Sequence, residues 1–290
     1  NSPLGLAAKA VLPSNLSTKY KPKVEVLVKA LAVKDFNDSL GRAQKTVYDH
    51  LKSFDDSLPV KALSDFCSNP KDICNKLAEK GLVSLLDRPI IPDLSEFAFN
   101  TKNKKIVLTQ EQNVALDKMV SCMDENKFNP ILLHGVTGSG KTEIYIEAAR
   151  HAIKINKTVI MLLPEISLTP QIAGRFRSAF GNDVALWHSK LSQGARAWTW
   201  KQICGGKFKV VIGARSAIFA PLKNVGLIVV DEEQESSYKQ ESPNPRYHAR
   251  DVALMRGKLD NASVVLASAT PSMESYYNYL NGKYEYIHLK

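Results

Sequence analysis

The chain has 290 residues, of which 44% are hydrophobic and 23% charged, a composition typical of folded globular proteins with about two domains. No apolar run approaches the roughly 18 residues of a membrane span, and the N-terminus lacks the charged-then-apolar order of a secretion signal. These features argue against a membrane or secreted protein and make the cytoplasm the expected compartment.

The net charge is +10 and is divided evenly between residues 1–105 and residues 106–290. Such a surface suits a polyanionic partner, although a generic basic surface explains the charge equally well. The four cysteines form no CxxC pair and have no histidine at zinc spacing, so we expect neither disulfides nor a zinc site. They are expected to be small buried hydrophobic residues.

The first third of the chain is predicted to hold a linker and a small domain. Residues 1–20 indicate an extended linker with one short helical piece near Leu6–Leu12. In residues 21–92 we predict helices at 24–33, 44–54, 60–67 and 71–80, followed by a β wing at 82–87, the pattern of a winged-helix domain. The sequence leaves open whether the 71–80 helix contacts duplex DNA or the domain is a spacer or docking surface for protein.

After a second linker at 93–105, residues 106–290 alternate apolar strands with amphipathic helices. This alternation predicts an α/β domain with a mainly parallel sheet covered on both faces. The predicted strands are 131–134, 158–163, 184–187, 209–213, 227–230 and 263–267, and the predicted helices lie near 110–124, 141–156, 170–180, 192–204, 248–259 and 271–280.

A glycine-rich segment follows the first of these strands and has the form GxxxxGK[ST]. Such a loop presents backbone N–H groups and the positive end of a helix dipole to phosphates, while its lysine reaches the β- and γ-phosphates. The sequence therefore predicts a nucleoside triphosphate site. The predicted nucleotide-binding residues here are Gly135, Gly138, Ser139, Gly140, Lys141 and Thr142.

An acidic cluster ends the predicted strand at 227–230. Ligands bind at the carboxyl edge of parallel sheets, so Asp231 and Thr142 are predicted to converge on one Mg²⁺ beside the phosphates. Glu232 is predicted to orient or deprotonate the attacking water, and Gln234 to report on the γ-phosphate. Lys141, Asp231, Glu232 and Gln234 are thus the predicted catalytic residues.

With these two motifs placed, further segments carry a family resemblance. The segments are Leu163–Gln171, Ile212–Pro221, Ser237–Gln240, Pro245–Ala253 and Ser268–Ser272. Through them the chain resembles the bacterial primosomal replication-restart helicases of superfamily 2, closely over residues 108–290 and mainly in helix order before that. The resemblance implies that residues 106–290 form the first RecA-like helicase lobe and that the nucleotide is ATP.

The same resemblance implies further site residues. Gln112 would hydrogen-bond the adenine edge, although glutamine at a helix start is also a good capping residue. Ser268-Ala269-Thr270 would link nucleotide state to lobe movement. An aromatic-rich loop after the acids and a segment near residue 215 would contact single-stranded DNA, by stacking on bases and pairing with phosphates. The predicted DNA-binding residues are Arg215, Ser216, Tyr238, Lys239, Arg246, Tyr247, His248 and Arg250. Trp187, Trp198 and Trp200 are instead expected in the core or in interlobe packing.

The chain also departs from the family pattern. Gln234 stands where the family usually has histidine, and Ser236 and Asn244-Pro245 replace its proline and glycine. The sequence is expected to stop about where the first lobe ends, without the second lobe and its arginine finger, the cysteine-rich zinc module or the N-terminal domain that holds a 3′ DNA end. We therefore expect this fragment to bind ATP and hydrolyse it slowly.

The resemblance implies an ATP-dependent 3′-to-5′ DNA helicase or translocase. It would use ATP and Mg²⁺, bind forked and single-stranded DNA, and start replication at stalled forks with restart proteins and single-stranded-DNA-binding protein. Two alternatives remain open at this stage: a translocase subunit of a restriction or remodelling complex, and a DNA-binding adaptor whose ATP site acts only as a switch.

Overall fold

The computed structural model describes residues 3–13, 24–32, 39–54, 56–89, 107–164, 170–189 and 191–290. The chain divides into two compact units, one formed by Lys19–Pro92 and a larger one formed by Asn1–Thr18 with Asp93–Lys290. Helix α1 (Leu4–Val11) therefore belongs to the larger unit, and Val11 packs against a core cluster of that unit. The sequence predicted this helical piece but placed it in an extended linker.

The smaller unit has a three-stranded antiparallel sheet in the order β2-β1-β3. Its elements are β1 (Val24–Ala30), α2 (Arg42–Lys52), β2 (Leu58–Pro59), a 3-10 helix (Val60–Asp65), α3 (Pro70–Glu79) and β3 (Val83–Pro89). Val28, Leu63 and Leu77 are fully buried between the sheet and the helices.

The helix predicted at 24–33 is wrong, because this segment is the central strand β1. Its valines are β-branched and favour strands, and β1 pairs with β3 over its whole length from Val24 to Ala30. The predicted wing is β3 itself. The winged-helix assignment stays a prediction.

The larger unit is built on the predicted parallel sheet, in which the described residues form seven strands in the order β12-β4-β11-β8-β5-β7-β6. All pairs in this sheet are parallel. The strands are β4 (Asn129–Gly135), β5 (Thr158–Leu162), β6 (Val184–Trp187), β7 (Val210–Gly213), β8 (Val225–Asp231), β11 (Ser263–Ser268) and β12 (Glu285–Leu289). The sequence analysis predicted six of them and missed β12.

Helices cover this sheet at the predicted places, so the α/β fold is confirmed. They are α4 (Gln110–Asp124), α5 (Lys141–Lys154), α6 (Pro170–Phe180), α7 (Gln193–Cys204), α8 (Ala249–Asp260) and α9 (Met273–Leu280). A short ribbon of β9 (Lys239–Gln240) and β10 (Tyr247–His248) follows β8. Among the described residues, no helix is long and apolar enough to cross a membrane.

The sheet separates two apolar cores. Ile131 and Leu133 face the core under α4 and α5, whereas Leu132 faces the core on the other side, as the alternation of a strand requires. The second core contains Trp187, Trp198 and Trp200, which confirms the packing role expected for the tryptophans. All four cysteines are free thiols, but Cys204 is exposed, against the expectation that all would be buried.

Candidate ATP site and nucleic-acid interface

The glycine-rich loop joins the end of β4 to the start of α5. Gly138 and Gly140 adopt φ angles of 87° and 82°, a left-handed conformation in which a side chain would be strained. The first turn of α5 leaves backbone N–H groups without helical acceptors. Ser139 Oγ is buried without a hydrogen-bond partner among the described residues. The loop therefore offers unused polar groups of the kind that bind phosphate.

Lys141 lies over this loop and is only 8% exposed. Its Nζ donates hydrogen bonds to the carbonyl oxygens of Gly135 at 2.6 Å and Val136 at 3.3 Å. These two bonds hold the ammonium group beside the N–H groups of the loop. Thr142 follows in the same first turn of α5 and is partly buried. The cation and the hydroxyl needed by a phosphate–Mg²⁺ complex thus belong to one short segment.

The acidic tip of β8 touches the same helix. Tyr145, one turn after Thr142 on α5, donates its hydroxyl to Asp231 Oδ1 at 3.0 Å. Burial raises the pKa of Asp231 to about 6, and the Tyr145 hydrogen bond and the Lys141 charge oppose that rise. A carboxylate that is buried beside a cation and a hydroxyl is well suited to a divalent ion, which would favour its charged form.

Glu232 and Gln234, which follow in the same acidic cluster, form a bridge to β11. Glu232 has φ 48°, which turns the chain out of the sheet directly after the strand. Gln234 donates Nε2–H to Glu232 Oε2 at 3.0 Å and accepts a hydrogen bond from Ser268 Oγ at 2.6 Å. Ser268 Oγ in turn accepts from the backbone N–H of Thr270 at 2.8 Å. Because β11 lies between β4 and β8, Gln234 connects the predicted catalytic glutamate to the central strand of the site.

Gln112 lies against the phosphate loop from the start of α4. Its Oε1 accepts the backbone N–H of Thr109 at 2.9 Å, and its Nε2 donates to the carbonyl oxygen of Ser139 at 2.9 Å. A Cβ added at Gly140 would collide with this Nε2. Gln112 thus acts as a capping residue and as a brace for the loop, and its contact with adenine stays a prediction.

Two predicted DNA-binding residues are interior residues in the structure. Tyr238 is fully buried and donates its hydroxyl to the backbone carbonyl oxygen of Asp231 at 2.6 Å, so its ring is unavailable for stacking on a base. The side chain of Arg250 is 12% exposed and its Nη1 donates to Glu233 Oε2 at 3.0 Å. At these two positions burial and internal partners weigh against the predicted DNA contacts.

Glu233 is a residue that the sequence analysis missed. It has no exposed surface, and besides Arg250 it accepts hydrogen bonds from the backbone N–H and hydroxyl of Ser272 and from Ser275 Oγ, at 2.7, 3.0 and 2.8 Å. This buried ion pair ties the acidic tip of β8 to α8 and to the start of α9. The only sequence signal was a third acid in the cluster, which gives no indication of its distant partners.

The remaining predicted DNA-binding residues are at least partly accessible. Lys239 and Arg246 are exposed on the β9–β10 ribbon. His248 is the N-cap residue before α8, and its Nδ1 accepts the backbone N–H of Arg250 at 3.3 Å. Arg215, Ser216 and Tyr247 line a common cavity of about 490 Å³. The structure therefore brings three of the eight predicted DNA-binding residues together around one opening.

The cavity also contains two cations that the sequence analysis did not select, Lys9 and Arg196. Lys9 lies in α1, more than 180 residues before Arg196 in the chain. Neither belongs to a recognisable motif. Only the three-dimensional arrangement joins them to the predicted site.

Comparisons with known proteins agree with this geometry. Residues 109–278 match the family model described as DEAD/DEAH box helicase. The replication restart protein PriA of Chlamydia pneumoniae is 41% identical over 298 residues, covering 98% of this chain and 39% of that protein. The Bacillus subtilis PriA is 45% identical over 214 residues, covering 74% of this chain and 26% of that protein.

The chain thus spans well under half the length of these relatives, and they confirm the resemblance indicated by the motifs. A solved structure of RecG bound to a three-way DNA junction aligns with a TM-score of 0.49 at 22% identity, over 68% of this chain and 25% of that one.

Proposed function

Because this chain belongs to the DEAD/DEAH box helicase family, we propose that it carries the ATP-binding lobe of a DNA helicase that acts in replication restart. The protein would move 3′ to 5′ on DNA, bind forked and single-stranded substrates, and work in the cytoplasm with restart proteins and single-stranded-DNA-binding protein. The likeness to replication restart proteins from several bacteria supports this proposal.

The single observation that carries the proposal is the contact between the phosphate loop helix and the acidic strand tip. Tyr145 of α5 donates to Asp231 of β8, and the charge of Lys141 acts on the same carboxylate. Thr142 and Asp231 supply hard oxygen ligands of the type that Mg²⁺ prefers, and a bound Mg²⁺ would neutralise phosphate charge. Among the described residues no cluster of three acidic, His or Cys side chains could hold a metal ion by itself.

In this arrangement each residue has a distinct role. Lys141 and the loop N–H groups bind and orient the phosphates. Glu232 takes the proton of the attacking water, while Gln234 keeps its carboxylate in one orientation through the 3.0 Å hydrogen bond. The burial of Lys141, which is 8% exposed, strengthens its electrostatic contacts.

The test is DNA-stimulated ATP hydrolysis by the full-length protein carrying Glu232→Gln. We expect ATP binding to be retained and turnover to fall by about 10²- to 10⁴-fold, the usual contribution of a general base. Glu125→Gln, the same change at an exposed position after α4, is the matched control and should keep full turnover. Turnover unchanged by Glu232→Gln would favour an adaptor with a nucleotide switch.

A strand-displacement assay on forked DNA separates the helicase from a translocase. The proposal requires ATP-dependent separation of the strands by the wild-type protein. ATP hydrolysis that is stimulated by DNA without strand separation would instead indicate a translocase.

A further inference from the structure

The cavity beside the β9–β10 ribbon has an unusual concentration of positive charge. Its lining includes the cations Lys9, Arg196 and Arg215 and the hydroxyl residues Ser189, Ser216 and Ser237, and none of its described lining residues is acidic. Its volume of about 490 Å³ falls within the range of ligand sites and exceeds the space that one small anion needs. The lining chemistry therefore matches a phosphate that is part of a larger molecule.

Arg196 has unused hydrogen-bonding capacity at this cavity. Its Nη2 donates to the carbonyl oxygen of His188 at 3.2 Å, and its guanidinium lies 5.8 Å from the ring centroid of Trp187. Its Nε is buried and has no hydrogen-bond partner among the described residues. A buried donor of this kind is costly unless a ligand accepts from it.

The neighbouring residues add further donors. Ser216 Oγ accepts a hydrogen bond from Trp187 Nε1 at 3.1 Å, which leaves its own hydroxyl hydrogen to donate. Arg215 uses Nη1 for the carbonyl oxygens of Ser237 and Lys239, at 3.2 and 2.7 Å, and its guanidinium lies 5.8 Å from the ring centroid of Tyr247, which keeps the group at the cavity. The donors of two different segments are thus held in place before any ligand arrives.

Helix α1 adds the third cation from a distant part of the sequence. Lys9 is exposed at the cavity, and Val11, half a turn later, packs against the core of the larger unit. That packing fixes the helix relative to the cavity, so Lys9 is not a freely moving tail residue. The exposed cations Lys239 and Arg246 on the ribbon next to the cavity continue the positive surface outward.

We propose that Lys9 of α1 and Arg196 of α7 complete, with Arg215 and Ser216, a binding pocket for a backbone phosphate of single-stranded nucleic acid. The continuation of positive charge along the ribbon favours a phosphate within a strand over a free anion. This inference deepens the proposed function and rests on it, because it assigns two residues and one helix to the DNA interface of the same lobe.

The salt dependence of binding tests the pocket. We would measure the affinity of the full-length protein for fluorescein-labelled oligothymidine of about 16 nucleotides by anisotropy, over a series of salt concentrations. Each phosphate contact on a single strand contributes about 0.7 to the slope of log K against log salt. Lys9→Gln and Arg196→Gln should each lower the slope by about 0.7 and weaken binding at low salt by about tenfold.

The matched control is Lys258→Gln, which removes one positive charge from an exposed position of α8 outside the cavity. It should leave the slope unchanged. Because Arg196 also supports Trp187 and could affect folding, Lys9→Gln, at an exposed residue, decides the test. Slopes for Lys9→Gln equal to those of Lys258→Gln would overturn the pocket while leaving the proposed function intact. A wild-type protein that fails to bind the oligonucleotide would overturn both.

A second arm separates a strand phosphate from a free one. Replacing chloride with inorganic phosphate at equal ionic strength should not displace the oligonucleotide from the wild-type protein. The opposite result has two parts: inorganic phosphate displaces the oligonucleotide from the wild-type protein but not from Lys9→Gln, and Lys9→Gln leaves the salt slope unchanged. That result would assign the pocket to a free anion and overturn the assignment to a strand phosphate.

Discussion

The ion pair of Glu233 and Arg250 can be tested directly. The sequence analysis predicted that Arg250 binds DNA, whereas in the structure Arg250 is paired with the buried Glu233. The perturbation is Arg250→Met, which keeps the length of the side chain and removes its charge. Glu233 would then be left with no exposed surface and no cation, since Arg250 Nη1 is its partner at 3.0 Å. Removing one partner of a buried ion pair costs about 3–5 kcal/mol.

The structure indicates that the cost of Arg250→Met lies at the lower end of that range. Glu233 keeps three hydrogen bonds, from the N–H and hydroxyl of Ser272 and the hydroxyl of Ser275. A loss of about 3 kcal/mol in a unit of this size lowers Tm by about 6–12 °C. Glu233→Gln should be milder, at about 1–2 kcal/mol, because the partly exposed Arg250 retains Asp251 at 3.5 Å and Glu274 at 3.9 Å.

The assay is thermal unfolding followed by tryptophan fluorescence. All three tryptophans lie between residues 187 and 200, so this signal reports on the larger unit alone. The double variant Glu233→Gln with Arg250→Met should be more stable than Arg250→Met, because it no longer buries an unpaired charge. Lys258→Met on the exposed face of α8 is the control. The buried-pair reasoning would be refuted if Arg250→Met had the same Tm as Lys258→Met but bound DNA more weakly.

Three further predictions concern the ATP site. Gly140→Ala should weaken ATP binding about tenfold by equilibrium titration, because it adds strain at φ 82° and displaces the Gln112 amide from its hydrogen bond to Ser139. Gly138→Ala, with open space at φ 87°, should lose less, and equal losses would contradict the role of the Gln112 brace. Gln234→Glu should lower turnover of the full-length protein by about 10²-fold with ATP affinity retained, because a second carboxylate would repel Glu232. Unchanged turnover would count against the role of the Gln234–Glu232 hydrogen bond. Tyr238→Phe removes the buried hydrogen bond to Asp231 and should lower the free energy of unfolding in urea by about 1–2 kcal/mol, with oligonucleotide affinity unchanged. A loss of affinity without a loss of stability would instead support stacking of Tyr238 on a base.

The sheet and the phosphate loop could be predicted because their determinants are local. A run such as Ile131–Leu133 followed by a glycine-rich turn specifies a strand, a loop and a helix start within a dozen residues. The error at Val24–Ala30 has a similar local origin. Its three alternating valines favoured a strand, a local signal that the sequence analysis misinterpreted, and the pairing with Val83–Pro89 about 60 residues later is the part that the segment itself does not contain.

The candidate DNA interface was harder to predict, because residue type gives the chemistry of a side chain but not its direction. In the segment after β8 the buried Tyr238 is followed by the exposed Lys239 and then by the buried Gln240. Successive residues of an extended chain point to opposite sides, so only every second one can face a ligand. A list of aromatic and basic residues from such a loop necessarily mixes internal supports with surface contacts.

The internal supports nevertheless bear on function. The Tyr238 hydroxyl donates to the backbone carbonyl oxygen of Asp231. Arg215 donates to the carbonyl oxygens of Ser237 and Lys239, on either side of Tyr238. The segment 237–239 is therefore fixed both to the acidic strand tip and to an arginine of the proposed phosphate pocket. A phosphate bound by Arg215 would act on the same short segment that contacts Asp231, so the two sites share one element of structure even though they lie at different places on the lobe.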